Sequence, residues 1–193
     1  MSFAEYNYEE AIIELFKNLG YEHWYGPEIE RDYHVPFYEE DLRSCLSYIN
    51  RDLPQIAITE AINKLKDIGI GSLVDKNWRF TYFLQNGVSI NYHNDEEKNL
   101  IVKLIDFENV ENNFFKVINQ WTVIEHEEKR ADVIVFVNGL PLVVIELKSP
   151  SREETDSSEA YSQLKNYMDK IPSLFTYNCF CVMSDLTISK LNQ

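Results

Sequence analysis

Two apolar runs, residues 131–137 and 142–147, flank an Asn138-Gly139 pair, and nothing else in the chain restricts the fold as much. Their Val, Ile, Leu and Phe side chains suit the pleated, buried surface of a sheet. Asn-Gly between such runs signals a hairpin, because both residues accept positive φ. Residues 114–124 form a third run of this kind, so three consecutive strands are expected. Residues 155–171 then place Ala160, Leu164, Tyr167, Met168 and Ile171 at helical spacing, and 178–183 regain strand character. The order strand, strand, strand, helix, strand predicts an α/β (α+β) architecture with a mixed sheet flanked by helices.

The first half of the chain reads as mostly helical. Tyr8, Ile12, Leu15, Phe16 and Leu19 recur at helical spacing over 5–19, and Gly20 supplies the stop. Residues 21–36 are irregular, with a short strand expected near Ile29. Helices over 40–50 and 54–68, the second opening at Pro54 and closing at Gly69, predict a small helical lobe. A short helical turn over 77–85 and strands over 88–92 and 99–107 follow.

With 193 residues, 45% of them hydrophobic and 13% aromatic, the chain suits one folded domain over 1–193. Its N-terminus lacks the basic and apolar regions of a secretory signal, and no apolar run reaches the roughly 20 residues of a membrane span. Cys45, Cys179 and Cys181 have neither zinc-site spacing nor an even count for pairing, so a cytoplasmic, reducing setting is expected. The formal charge of −14 opposes strong binding to DNA by this chain alone, since phosphate contacts need clustered Lys and Arg.

The chemistry concentrates at the end of the 142–147 run. Glu146 and Lys148 stand two residues apart, on one face of a strand that is otherwise apolar. Asp132 opens the preceding strand, where an antiparallel hairpin brings it beside Glu146. Paired carboxylates repel unless a cation or proton intervenes. Mg2+, which takes a few carboxylates and completes its shell with water and phosphate, suits them. Lys148 then serves to orient an attacking water or to stabilise negative charge. An exposed Glu-Lys pair worth little is the plain alternative; Lys165 and Arg152 are read as solvated cations in the same way.

Parity sets a condition on this site. A two-residue turn pairs Val137 with Leu140, puts Asp132 opposite Ile145 and sends Glu146 to the other face. A three-residue loop with a bulge at Gly139, or a bulge elsewhere in the hairpin, is therefore expected.

This layout resembles the PD-(D/E)xK nuclease core. The stretch RADVIVFVNGLPLVVIELK over 130–148, with Asn119-Gln120 upstream and Gln163-x-x-x-Tyr167 downstream, resembles more closely the N-terminal nuclease domain of type I restriction endonuclease R subunits. Ala131 stands where the motif's proline would be; that proline carries no reactive group. The resemblance implies Asp132 and Glu146 as metal ligands, the Leu147 carbonyl as a further ligand and Lys148 as catalytic lysine. It also implies Glu9, adjacent to Glu10, as a supporting acid at the metal, and Gln163 and Tyr167 as residues that support the site or contact DNA.

On this reading the helical lobe covers about 40–69 and the catalytic core about 99–184 of an N-terminal fragment of a larger subunit. That subunit would hydrolyse double-stranded DNA with Mg2+, using ATP only through translocase domains outside this chain. Methyltransferase and specificity subunits would be its partners, with no membrane involved. A different PD-(D/E)xK repair nuclease and a catalytically silent docking module are the competing readings.

Overall fold

The computed structural model describes residues 3–93, 97–147, 157–184 and 189–192. Helix α1 (Phe3–Asn18) leads into β1 (Glu22–Tyr25), and the helical lobe contains α2 (Glu39–Ile49), α3 (Gln55–Lys66) and α4 (Leu73–Asn86). The hairpin β2 (Val88–His93) and β3 (Glu97–Val102) follows, then β4 (Phe115–Ile124), β5 (Glu128–Val137) and β6 (Leu140–Leu147). Helices α5 (Ser157–Lys170) and α6 (Pro172–Thr176) precede β7 (Phe180–Ser184) and β8 (Ser189–Asn192).

Six strands form one mixed sheet in the order β1-β4-β5-β6-β7-β8, parallel at β1-β4 and β6-β7 and antiparallel elsewhere. Helix α1 packs Tyr8, Ile12 and Phe16 on one face, against Val117, Val133, Val135, Ile145 and Leu147. Helix α5 packs Leu164 and Tyr167 on the other, with Ile118, Trp121, Ile134 and Val144. Covering both faces explains why the central strands read as continuous apolar runs rather than alternating ones.

The helical lobe has its own core. Helix α3 buries Ala57, Ile58, Ala61, Ile62 and Leu65 completely, against Leu42 and Leu46 of α2. Each fully buried Ile or Leu contributes roughly 1.5–3 kcal/mol. Two buried polar ties join this lobe to the sheet. Lys116 of β4, 2% exposed, lies 2.7 Å from Asp41 of α2, under the rings of Trp24, Tyr38 and Phe114. The Asn138-Gly139 turn is pressed beneath the start of α2, where the Tyr38 N–H donates to the Gly139 carbonyl at 2.8 Å.

Several expectations are corrected. The early strand lies at Glu22–Tyr25, not near Ile29, which is a buried core residue. Its mostly exposed residues show no burial alternation because it is an edge strand held by pairing with β4. The helix expected over 77–85 runs from Leu73 to Asn86, because Ser72 and Asp75 form a reciprocal capping box. Strand β3 ends at Val102, and Leu104 and Ile105 reach the core from irregular backbone. Pro172 separates α5 from the short α6, and β8 adds an edge strand beyond the expected five-element order.

Candidate active site

The site is built on the β5–β6 hairpin. Asn138 and Gly139 have φ of +52° and +80°, the signature of a two-residue type I′ turn, and Val137 pairs with Leu140. The three-residue loop does not form. Pairing runs Phe136 to Pro141 and then Val135 to Val143, so Leu142 is the extra residue of a bulge. Pro141 has no N–H to lose from the ladder, so the irregularity falls beside it at little cost.

The bulge restores parity. Beyond it Ile134 pairs with Val144 and Val133 with Ile145. The same register continued by one residue sets Asp132 opposite Glu146. There the side chain takes over from the backbone ladder: the Leu147 N–H donates to Asp132 Oδ2 at 2.9 Å. Asp132 is half-buried, and Glu146 is fully buried.

Helix α5 covers this end of the hairpin. Gln163 and Tyr167, four residues apart, share one helix face. Gln163 Nε2 donates to Tyr167 Oη at 2.8 Å, and Tyr167 Oη donates to the Arg130 carbonyl at 3.0 Å. The Tyr167 phenol is pushed well above its ordinary pKa, first by burial and then by the negative charge of Glu146, with a smaller contribution from Asp132. Both carboxylates are therefore within electrostatic reach of one buried hydroxyl. That hydroxyl stays protonated and acts as a donor, not as a base.

Glu9 approaches from α1. It is 3% exposed, whereas Glu10 beside it faces solvent. Asn119 Nδ2 donates to Glu9 Oε1 at 2.7 Å and Gln120 Nε2 to Glu9 Oε2 at 2.6 Å. Burial raises the Glu9 pKa; the two amides oppose that shift, while Asp132 and Glu10 add to it. Asn119 and Gln120 are polar positions whose role the sequence reading left open. The signal for them is two adjacent amides inside an otherwise apolar strand.

The structure thus brings together Asp132, Glu146, Tyr167 and Gln163, with Leu147 alongside, and sets Glu9 within electrostatic reach of Asp132. Lys148 and Arg152 lie outside the described residues. Lys165 is exposed, with Nζ 5.0 Å from the centre of the Tyr161 ring. Among the described residues no three His, Cys, Asp or Glu side chains are grouped tightly enough to ligate a metal by themselves. Two facing carboxylates fit Mg2+ nonetheless, because that ion uses one or two protein carboxylates and draws the rest of its shell from water and phosphate.

Comparison with known proteins gives a consistent picture. The family model for the type I restriction enzyme R protein N terminus matches residues 2–191. The chain is 34% identical to the HindI type I restriction enzyme endonuclease subunit of Haemophilus influenzae, over 98% of this chain and 19% of that protein. It is also 34% identical to a putative type I restriction enzyme endonuclease subunit, MjaIXP, of Methanocaldococcus jannaschii, over 94% of this chain and 18% of that one. A Staphylococcus aureus endonuclease subunit, SauCOLORF180P, matches at 35% over 47% of the chain and 10% of its own length. The chain therefore spans about a fifth of the length of the first two relatives. Among the described residues, no helix is long and apolar enough to cross a membrane.

Proposed function

Since the chain belongs to the family of type I restriction enzyme R protein N termini, we propose that it is the endonuclease domain of such an R subunit and hydrolyses phosphodiester bonds of double-stranded DNA with Mg2+. The observation that carries this reading is the bulge at Leu142, which sets Asp132 opposite Glu146 beside the buried hydroxyl of Tyr167. A regular hairpin would have parted the two carboxylates.

Asp132 and Glu146 would hold the metal, with the Leu147 carbonyl as a further donor. Glu9 is the supporting acid behind them. Bound Mg2+ supplies charge at the scissile phosphate and lowers the pKa of water. Tyr167 and Gln163 lock α5 onto the backbone of β5 and shield the carboxylates from bulk water, which strengthens electrostatics at the site. Lys148, two residues beyond Glu146, is assigned to orienting the attacking water or countering the charge that develops on the phosphate.

The charge of −14 makes this chain a poor DNA binder by itself. DNA is therefore presented by the rest of the assembly: translocase domains of the same subunit driven by ATP, and the methyltransferase and specificity subunits, in the cytoplasm. Plasmid cleavage by the complete enzyme with Mg2+ tests the reading. Asp132→Ala, Glu146→Ala and Lys148→Ala should each lower cleavage by about 100-fold or more, comparable to the loss of a transition-state stabilising group. Undiminished cleavage by these variants would leave the chain a docking module.

A further inference from the structure

Consecutive residues of a regular strand point to opposite faces of the sheet. Asn119 and Gln120 are consecutive in β4, yet their amides grip the same carboxylate, one oxygen each. The backbone makes this possible, because Gln120 has φ +57°. Inward alternation is broken there: Ile118, an even position, shares one core with the odd positions Trp121 and Val123. Left-handed backbone is unusual for a residue with a long side chain, and it persists where the surroundings over-determine it.

Those surroundings are specific. A Cβ on Gly26 would lie 2.7 Å from the Gln120 carbonyl oxygen and 2.8 Å from that of Asn119, so the chain can press against the kink only with glycine at that position. His23 Nε2 lies 2.9 Å from Asn119 Oδ1. An imidazole N–H donating there engages the oxygen of the amide and directs its NH2 group to Glu9. The sequence distance from Glu9 to the two amides is 110 and 111 residues, so no local turn geometry accounts for the contact.

We propose that Asn119 and Gln120 are positioning residues, a two-amide clamp built on the left-handed Gln120 and seated against Gly26. The clamp fixes Glu9 as an acid behind Asp132, outside the metal's own ligands, and thereby tunes the affinity of the site for Mg2+. Without it neither oxygen of the Glu9 carboxylate keeps the partner that fixes its orientation. This inference rests on the nuclease reading above.

Titration calorimetry of the full chain with Mg2+ tests it without recourse to cleavage. Gln120→Met should weaken Mg2+ binding by about tenfold, as loss of an outer-shell partner does. Gln120→Gly, which accepts the φ of this position, should do the same. In a Glu9→Gln background neither substitution should weaken binding further. Parental affinity in a folded Gln120→Met or Gln120→Gly chain overturns the clamp, as does an equal loss with and without Glu9. If circular dichroism shows Gln120→Met unfolded, Gln120→Gly decides alone. Failure of the parent chain to bind Mg2+, or undiminished binding by Asp132→Ala, overturns the nuclease reading together with the clamp.

Discussion

Replacing Lys116 with Met tests how the helical lobe is tied to the strand that carries the amides. Lys116 is 2% exposed and Asp41 17% exposed, with Nζ and Oδ2 2.7 Å apart. At an effective dielectric of about 20 their gross attraction is about 6 kcal/mol, most of it offset by the cost of taking both charges out of water. Removing one partner leaves that cost on the other, and measured losses for buried pairs are about 3–5 kcal/mol. Asp41 keeps some contact with solvent, so the lower end applies: about 3 kcal/mol, with Met refilling the volume among Trp24, Tyr38 and Phe114. For a domain whose stability is on the order of 5–15 kcal/mol this is a large fraction.

The deficit should depend on pH in a definite sense. The Asp41 pKa is raised in the folded chain because burial outweighs the lowering by Lys116, with Glu22 and Glu40 adding to the rise. A carboxyl with a raised folded pKa contributes stability that is full below its unfolded value and is lost as pH rises through the folded one. Taking away Lys116 raises that folded value further. The deficit of Lys116→Met is then largest near neutral pH and shrinks in acid, and adding Asp41→Asn should recover most of it. Urea unfolding at about pH 5 and about pH 8 measures both effects. A loss under about 1 kcal/mol near neutrality, or one that does not change with pH, would refute the reasoning.

Two further predictions concern the frame of the site. Gly139→Ala places a Cβ 2.4 Å from the Tyr38 carbonyl oxygen and 2.6 Å from the Leu42 nitrogen, both backbone atoms, at a φ of +80°. Strain of about 1–3 kcal/mol plus displacement of α2 should lower the melting temperature by about 8 °C or more; an unchanged Tm would mean that the turn is not clamped. Tyr167→Phe leaves the Arg130 carbonyl and Gln163 amide without their shared hydroxyl and should cost about 1–2 kcal/mol in chemical denaturation. If Gln163→Leu combined with it costs the full sum of the two single changes, the three groups do not act as one network.

The hairpin was legible because everything that defines it is local. Asn138-Gly139 dictates the turn, the apolar runs dictate the strands, and the parity argument demands a bulge. Pro141 was the available clue to its place, since a residue without an N–H belongs where the ladder is broken. Gly139 could not host the bulge because Tyr38 and Leu42 close over it, a contact invisible along the chain. Ser72 and Asp75 were likewise an available clue, not taken up, to the true start of α4. The strand β1 was missed because its residues are mostly exposed and its partner β4 lies far along the sequence.

Residues 131–147 by themselves bring the acids at 132 and 146 to the same end of one hairpin, but whether the two stand opposite each other rests on the bulge at Leu142, which only the structure places. Nor does the sequence determine which acid of α1 turns toward the sheet. Glu9 and Glu10 are equivalent as letters, and only the packing of Tyr8, Ile12 and Phe16 on the sheet turns Glu9 inward and leaves Glu10 in water. The kink at Gln120 is of the same kind. A run of strand residues predicts strict alternation, and the pressure of Gly26 together with a carboxylate more than a hundred residues away breaks it. Contacts over such separations depend on how whole elements dock, and that is a property of the tertiary structure alone.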